Sequence, residues 1–357
     1  MRVLALASKE IKIENKLIRE SVEGELDLIG LLGISDPPRE EVSESLKIAR
    51  TAGIEVVMVT GDSSVTAQAI GHEIGLLKEG DLVMEGGQLN SLDDEAFGKI
   101  IEKVRIFARA TPEQKLKIVK AYQEKGKTVA VTGDGVNDAP ALRSAEVGVA
   151  MGVVGTEVAK EASDMVITDD NFSSIVKAVE EGRVIYDNIV KSLRYLLSDN
   201  ASEFFTIFGA ALLGLPTPLA ATQILWINLV SDGLPALAIS ADPKDPDVMK
   251  RMPRNKRVSL LNFVSIPYLI TIGLLFSSIV IIIFSLSLLR LPELQAKTLA
   301  FNLMVLVHIF AAYFARKTKK LWDNKFLLGA ILLTLALQII INLIPALHQI
   351  FRITSLF

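Results

Sequence analysis

Cysteine is absent from the 357-residue chain, and so is any surplus of positive charge. Without thiols the protein has no disulfide, no thiolate metal site and no cysteine nucleophile. Its 38 Lys and Arg are outnumbered by 41 Asp and Glu, which leaves a formal net charge of -3. Because binding to a phosphate backbone requires a basic face, this balance argues against a nucleic-acid partner. The N-terminus lacks an apolar segment long enough for a secretory signal peptide.

Apolar residues make up 50% of the sequence, and they are concentrated in its second half. A run of about 20 apolar residues is long enough to cross roughly 30 Å of hydrocarbon. Such runs occupy 189–213, 220–240, 264–288, 298–315 and 326–344. We therefore predict a soluble head over 1–187 and, over 188–357, an all-α bundle of about five transmembrane helices surrounded by membrane lipid.

The loops between these runs differ in charge. Two of them are basic and contain Lys244, Lys250, Arg251, Arg254, Lys256 and Arg257 after the second run, and Arg316, Lys317, Lys319, Lys320 and Lys325 after the fourth. The connection 214–219 carries no charge. By the positive-inside rule, the basic loops and the soluble head lie on the cytoplasmic side. The protein is thus expected to be an integral, multi-pass membrane protein.

The head alternates short β-branched apolar runs with helix-patterned stretches. The runs are 54–59, 104–108, 128–131, 147–151 and 165–168. This alternation is typical of a parallel, doubly wound α/β sheet with helices on its faces.

A sequence of nine residues, Thr-Gly-Asp-Gly-Val-Asn-Asp-Ala-Pro over 132–140, follows one of the predicted strands. Its glycines permit a tight turn and a close approach of the backbone to a ligand. Asp134 and Asp138 supply hard oxygen ligands of the kind that Mg²⁺ takes beside a phosphate. The segment predicts a Mg²⁺ and phosphate site.

Thr60, Gly61 and Asp62 repeat the same tripeptide at the end of another strand. Ligands bind at the carboxyl ends of parallel strands, and the free N–H groups of a helix starting at Ser63 or Ser64 would favour an anion. Lys115, in the first turn of a later helix, could bring a positive charge to that anion. Alternatively, the tripeptide is an ordinary turn and the lysine a solvated side chain.

These segments, together with Asp-Pro-Pro-Arg over 36–39, occur in the order and spacing of the P-type cation-transporting ATPases. The chain resembles the calcium-pump subgroup of that family over essentially its whole length. The resemblance implies a haloacid-dehalogenase-like fold for the head, with a stalk helix over 171–187. Residues 1–30 resemble the tail of the family's nucleotide domain, and 188–357 resembles its spans five to nine.

The resemblance also assigns roles within the head. Asp134 and Asp138 match residues that hold or orient Mg²⁺, and Lys115 matches one that contacts the transferred phosphoryl group. Thr60 and Gly61 match residues that hold the phosphoryl oxygens, and Asp62 belongs to the same catalytic turn. Asn137 matches a supporting residue, and Arg2 a residue near the nucleotide ATP.

Several parts of the family's machinery have no counterpart in the 357 residues. They are the Asp-Lys-Thr-Gly segment with the phosphorylated Asp, the actuator domain with its Thr-Gly-Glu loop, spans one to four and nearly all of the nucleotide domain. The resemblance implies the C-terminal part of an ATP-driven Ca²⁺ pump that is inactive alone and needs an N-terminal half, in cis or in trans. The alternatives are a non-catalytic or split-subunit membrane protein with a Mg²⁺- or nucleotide-sensing head, and a membrane-tethered phosphatase.

The first two apolar runs contain polar residues that lipid would not tolerate. Helical spacing places Asn200 and Glu203 on one face and Asn228, Ser231 and Asp232 on another. Buried carboxylates in a membrane call for a partner or an ion, and all-oxygen ligands suit Ca²⁺. Gly233 and Pro235 should loosen the helix just after Asp232 and free carbonyl oxygens. The alternative is an interhelical hydrogen-bond cluster.

The resemblance favours the ion, because Asn200, Glu203, Asn228 and Asp232 fall on calcium-ligand positions and Ser231 stands where the family has Thr. His308 stands in the place of a further acid, and we expect a packed or interfacial histidine there rather than a ligand. The role of Asp199 is left open. A pattern without proline over 172–214 predicts one helix of about 40 residues, roughly 60 Å long, and the alternative is a break at Gly182.

Overall fold

The computed structural model describes residues 2–10, 23–34, 37–255, 265–316 and 320–355, with the side chains of Arg2, Ile34 and Leu321 outside this description. Asp36, Lys256, Arg257, Lys317 and Lys319 also lie outside the described residues. The chain forms two compact units, Met1–Val176 and Lys177–Phe357, which we call the head and the membrane unit. The division falls inside the stalk segment predicted from sequence.

Among its described residues the head contains eight strands: β1 (Arg2–Ser8), β2 (Asp27–Ile34), β3 (Met58–Val59), β4 (Leu82–Glu85), β5 (Val104–Ala108), β6 (Ala130–Gly133), β7 (Val147–Met151) and β8 (Met165–Ile167). β1 and β2 form an antiparallel pair. The others form two three-stranded sheets in the orders β3-β5-β4 and β6-β7-β8, in which every pairing is parallel. The predicted α/β fold with parallel strands is confirmed, with the strands divided between two sheets.

The α-helices that lie between these strands in the described part of the head are α1 (Glu41–Thr51), α2 (Ser64–Glu73), α3 (Gly86–Asn90), α4 (Asp94–Ile100), α5 (Pro112–Glu124), α6 (Ala139–Ser144) and α7 (Glu157–Glu161). Their starts follow from local chemistry. Thr111 caps α5 through its hydroxyl, Pro112 occupies the first turn, and the Gln114 side chain accepts from the Thr111 N–H at 2.9 Å. Lys115 therefore lies in the first turn of a helix, as predicted.

Fully buried apolar side chains on both sides of β5 anchor its sheet. Phe107 packs edge-to-face on Phe97 of α4, with ring centroids 6.1 Å apart. Ile106 points the other way, into a second cluster with Leu46 of α1. This alternation is the period-2 pattern of a strand covered by helices on both faces, and it holds the carboxyl end of β5 rigidly.

The membrane unit is helical. It contains most of α8 (Phe172–Leu212), then α9 (Ala221–Trp226), α10 (Gly233–Ser240), α11 (Ile266–Leu288), α12 (Glu293–Phe314), α13 (Lys325–Leu343) and α14 (Pro345–Phe351). Within the described residues, four helical segments are long and apolar enough to cross a membrane: Ala221–Ser240, Ile266–Leu288, Glu293–Phe314 and Lys325–Leu343. They match four of the five predicted spans.

The remaining predicted span, 189–213, lies in the second half of α8, where Asp199, Asn200 and Glu203 reduce the hydropathy. α8 is one continuous helix of 41 residues. The predicted long helix is therefore confirmed, and there is no break at Gly182.

The second span is irregular at a different place from the one predicted. A π-helical turn over Ile227–Ser231 separates α9 from α10, and the Asp232 N–H donates to the Ile227 carbonyl at 2.8 Å. The helix therefore loosens just before Asp232 rather than after it. Pro235 contributes because it has no N–H to donate to the carbonyl four residues earlier, that of Ser231.

A buried network around Asp242 joins the middle of α8 to the ends of three other helices. The Asp242 carboxylate accepts hydrogen bonds from Arg316 Nε at 2.6 Å, Lys191 Nζ at 2.8 Å and Asn324 Nδ2 at 3.1 Å. Asn188 of α8 donates to the Asp242 carbonyl at 2.8 Å. Arg316, which the sequence placed among the loop charges, is thus a buried structural ion-pair partner.

Replacing Asp242 by Ala should destabilise the membrane unit by about 3–5 kcal/mol, because two cations would lose their buried counter-charge. Unfolding of the detergent-solubilised protein, followed by helical circular dichroism, would measure the change. Asp247→Ala is the matched control, since Asp247 is exposed and pairs with Lys250 on the surface. Equal losses in the two variants would contradict the assigned role of Asp242.

Candidate functional site

A hydrogen-bonded cluster of charged residues lies in the head where β6 ends. Asp138, at the end of a 3₁₀ turn over Val136–Asp138, is buried. Its Oδ1 accepts from Lys115 Nζ at 2.6 Å, and its Oδ2 accepts from the backbone N–H groups of Asp134 at 3.3 Å and Gly135 at 3.2 Å. A Cβ at Gly133 would overlap the Asp138 side chain, so the turn requires glycine. The structure thus brings together Lys115, Asp134 and Asp138.

The side chains of Asp134 and Asn137 point outward from this turn and are exposed. Asp134 therefore presents an exposed carboxylate in the same turn as Asp138. Two carboxylates of one turn, one buried and one exposed, form a donor set that suits a hard cation such as Mg²⁺. For Arg2, the structure describes only the backbone, in β1.

The turn of Thr60, Gly61 and Asp62 is held against the end of β5. Thr60 N–H donates to the Phe107 carbonyl at 2.9 Å, and the Ala110 and Arg109 N–H groups donate to the carbonyls of Thr60 and Asp62 at 3.0 and 2.9 Å. Asp62 N–H also donates to Thr60 Oγ1 at 3.1 Å. The turn is therefore fixed to the segment that leads into α5, the helix of Lys115.

Two strand edges flank these turns. Within the described residues, β3 pairs only with β5, and β6 pairs only with β7. Ala130 and Thr132 of β6 are exposed. Each edge therefore presents backbone N–H and C=O groups that can pair with another strand.

Asp170 supports the site through a loop. Its carboxylate accepts from the N–H groups of Val153 at 3.0 Å, Val154 at 2.8 Å and Gly152 at 2.7 Å, and these bonds, that of Val153 foremost, hold the pKa of Asp170 below its ordinary value. The loop continues to Thr156, whose N–H donates to the Asp134 carbonyl at 2.8 Å. Sequence reasoning did not single out this support.

A second polar cluster lies in the membrane unit. Asp199 of α8, Asp232 after the π-helical turn and His308 of α12 are at most 1% exposed, and one ligand atom of each lies within 4.8 Å of the others. His308 Nδ1 is 2.9 Å from Asp232 Oδ1 and 3.9 Å from Asp199 Oδ2. We call these three residues the buried triad.

The other predicted ion ligands lie beside the triad or away from it. Glu203 is buried and accepts from Asn228 Nδ2 at 2.9 Å, while Ser231 is fully buried. Asn200 and Asn228 are exposed. Asn200 and Glu203 lie three residues apart on the continuous helix α8, as expected, but only Glu203 is buried. Asp199, one helical turn before Glu203, occupies the buried face instead.

Sequence reasoning thus missed two members of the triad. His308, expected to be a packed or interfacial histidine, lies at the centre of a buried acidic cluster. Both His308 and Asp199 are ionisable residues within apolar runs of the sequence, and this feature could have marked them as members of a polar cluster.

Comparisons with known proteins agree with both units. The family model "haloacid dehalogenase-like hydrolase" matches residues 5–146, with a second model of that description over 114–179. The model "Cation transporting ATPase, C-terminus" matches residues 216–356. A haloacid-dehalogenase-like head joined to such a membrane region defines a P-type ATPase.

Relatives agree with this class over the whole chain. The Calcium-transporting ATPase of Bacillus subtilis (strain 168) is 43% identical over 100% of this chain and 41% of its own length. Calcium-transporting ATPase 1 of Bacillus cereus is 44% identical over 100% of this chain and 42% of its own length. The Endoplasmic reticulum calcium ATPase srcA of Aspergillus fumigatus is 38% identical over 100% of this chain and 42% of its own length. This chain belongs to the cation-transporting P-type ATPases. It spans about two fifths of the length of these relatives.

Acidification should reveal the role of Asp170. A carboxyl whose pKa is lower in the folded state stabilises the fold above its unfolded pKa, about 3.9, and this contribution is lost as pH falls through the folded pKa. Asp170→Asn should therefore unfold at a lower temperature than the wild type at pH 7, and the difference should shrink at pH values below about 4.

Thermal unfolding across this pH range, followed by circular dichroism, would measure the difference. Asp94→Asn is the control, because Asp94 is highly exposed and pairs with Lys117 at the surface. A difference in unfolding temperature between the wild type and Asp170→Asn that does not change with pH would contradict a stabilising role of the Asp170 charge.

Proposed function

We propose that this protein is the C-terminal part of an ATP-driven cation pump, in which phosphorylation of an Asp at the head drives Ca²⁺ through the membrane unit. One observation carries the proposal: a single chain combines a lysine–carboxylate site on a haloacid-dehalogenase-like head with buried carboxylates in an apolar helix bundle. The two Bacillus relatives are calcium-transporting ATPases, which supports Ca²⁺ as the transported ion.

In the head, Lys115 would stabilise negative charge on a transferring phosphoryl group. Its ammonium already lies 2.6 Å from Asp138 Oδ1, in a partly buried position where a charge is screened less than in water. Asp134 and Asp138 would hold Mg²⁺, which supplies positive charge beside the phosphate when bound. Thr60 and Gly61 would donate hydrogen bonds to the phosphoryl oxygens. Asn137 and Asp62 would line the same phosphate site.

The phosphorylated Asp would come from a separate segment. The edges of β3 and β6, each unpaired within the described residues, offer backbone groups to an added strand. A strand paired with both edges would carry an Asp at its carboxyl end next to both Thr-Gly-Asp turns. We propose that a segment with Asp-Lys-Thr-Gly, in cis or in trans, pairs at this place.

In the membrane unit, Glu203, Asn228, Ser231 and Asp232 would bind the ion, with Asn200 joining from the exposed face. The buried Oε1 of Glu203 and Oγ of Ser231 accept no hydrogen bond from any described residue. Buried polar atoms without partners are costly in hydrocarbon, and a bound cation would satisfy them. The exposed side chains of Asn200 and Asn228 leave room for ligands from further spans.

The basic loop after the second span supports a cytoplasmic head. Lys244 Nζ lies 2.9 Å from Glu180 Oε1, and Arg251 and Arg254 both pair with Asp187. This loop therefore folds against the part of α8 that precedes its apolar half. Under the positive-inside rule, both would lie in the cytoplasm.

Phosphorylation by ATP is the direct test of the head. The chain alone should form no acid-stable phosphoprotein with Mg²⁺ and labelled ATP, whereas co-assembly with the N-terminal part of the Bacillus subtilis relative should restore it. Lys115→Ala should slow the restored reaction by roughly 10²–10³-fold through loss of transition-state charge stabilisation.

Lys117→Ala is the matched control, since Lys117 lies on the same helix but its ammonium is 2.9 Å from Asp94. Its rate should equal that of the wild-type assembly. Phosphorylation of the chain alone, or equal losses in the two lysine variants, would refute the proposed role of the head.

The ion should be detectable in the same assembly. Phosphorylation should require Ca²⁺, and Glu203→Gln should shift the half-saturating Ca²⁺ concentration upward by at least roughly tenfold, because the ion loses a charged ligand. Glu293→Gln is the control, since Glu293 lies exposed at the start of α12 and pairs with Lys297. An unchanged Ca²⁺ dependence in Glu203→Gln would exclude Glu203 as a ligand.

A further inference from the structure

A largely apolar cavity of about 210 Å³ lies within the membrane unit, among α8, α11 and α12. α8 lines it with Arg194 and Tyr195, α11 with Tyr268 and Phe276, and α12 with Ala311. None of the described residues around this cavity is among those proposed above to bind Mg²⁺, phosphate or Ca²⁺. The cavity therefore belongs to neither of the two polar clusters.

The cavity has a buried floor and an exposed rim. Tyr195, Ala311 and Phe276 are 1%, 6% and 9% exposed, whereas Leu275 and Phe314 are 52% and 65% exposed. Exposed apolar side chains of membrane helices contact lipid chains, which are as apolar as leucine, so the cavity opens toward the bilayer. An apolar cavity of roughly 150 Å³ holds a benzene ring. The present cavity is larger and has room for several carbon atoms of an acyl chain.

The cavity lies at one boundary of the membrane, on the side of the basic loops. Tyr268 is in the first turn of α11, and Phe314 ends α12. Both of these helix ends adjoin a basic loop of the sequence. On α8, Arg194 follows Lys191 by three residues, and Lys191 pairs with Asp242 in the network at the same helix ends. The cavity is therefore at the depth where lipid headgroups meet hydrocarbon.

Arg194 is the charged residue of this cavity. Its guanidinium carbon lies 5.4 Å from the centroid of the Tyr268 ring, and its side chain is half-buried. A guanidinium is planar and carries five N–H donors, a geometry that matches phosphate. Tyrosine is enriched at the interface between membrane and water, and basic pockets between membrane helices bind anionic headgroups. The charge and the depth of Arg194 thus suit the phosphate of a lipid.

We propose that the cavity is a binding site for one anionic phospholipid. Its phosphate contacts the Arg194 guanidinium beside Tyr268, and one acyl chain enters between Phe276 and Ala311. A cation next to an apolar cavity that opens to lipid is complementary to a molecule with a negative head and an apolar tail. Binding of the lipid does not depend on the pump proposed above.

Native mass spectrometry of the purified chain tests the site directly. The protein in detergent would be titrated with phosphatidylglycerol and with phosphatidylcholine of identical acyl chains. We expect one phosphatidylglycerol to bind at a concentration at least roughly fivefold lower than phosphatidylcholine, because the cation favours a net negative headgroup. Glycerol phosphate, which has no acyl chain, should not displace the bound lipid.

Variants of the arginine separate this site from general attraction to charge. Arg194→Gln should remove the preference for phosphatidylglycerol, and Arg194→Lys, which keeps the positive charge, should retain most of it. Arg290→Gln is the matched control, because Arg290 is exposed and follows α11 at the end opposite to Tyr268. Its preference should equal that of the wild type.

The acyl-chain part of the site has its own variant. Ala311→Leu would place three more carbon atoms in the cavity and should weaken the binding of both lipids. Ser278→Leu is the control, since Ser278 is exposed on α11 and does not line the cavity. Circular dichroism would show that each variant is folded, and Ala311→Leu tests the cavity independently of any change at Arg194.

Four results would overturn the proposal. They are equal binding of the two lipids by the wild type, displacement of the lipid by glycerol phosphate, equal losses in Arg194→Gln and Arg290→Gln, and undiminished binding by Ala311→Leu. The first would indicate lipids held only by the apolar surface, and the second an arginine that binds phosphate without a tail. Because the assay uses no nucleotide, a failure of the phosphorylation experiment would not alter its outcome.

Discussion

A carboxylate removed from water must meet a positive charge or a full set of hydrogen bonds, and this constraint organises both units of the protein. Asp242 meets it with Arg316 and Lys191, and Asp138 meets it with Lys115 and two backbone N–H groups. Asp199, fully buried, has His308 Nδ1 3.9 Å from its Oδ2. The acids with close permanent partners hold elements of the structure together.

The polar cluster of the head and the polar cluster of the membrane unit each lie beside a surface to which further protein can bind. The Lys115–Asp138 pair is flanked by edges of β3 and β6 that are unpaired within the described residues, and the buried Glu203 accepts a hydrogen bond from Asn228, whose side chain is exposed. Unpaired strand edges and exposed amides in an apolar bundle are both unfavourable unless covered. An assembly larger than the described residues would cover both, in keeping with relatives more than twice as long.

Local chemistry along the sequence was enough to predict much of the fold. Proline and capping residues placed Lys115 in the first turn of α5, hydropathy located the apolar helices, and the absence of proline predicted the uninterrupted α8. Each of these features depends on neighbours within a few residues, so a linear pattern contains the information. The predicted span 189–213 is not among the helical segments apolar enough to cross a membrane, because its polar residues lower its mean hydropathy.

The sequence alone determined which residues could carry chemistry: the two Thr-Gly-Asp turns, Lys115 and the polar residues of the first two spans. Only the tertiary structure decided how they are grouped. It placed Asp199 rather than Asn200 on the buried face and brought His308 to Asp232 across 76 positions of sequence. The physical reason is that the rotation of a helix about its own axis, set by its packing against neighbouring helices, decides which of its side chains are buried. Successive residues of an α-helix with 3.6 residues per turn point about 100° apart, so a buried side chain can be followed directly by an exposed one.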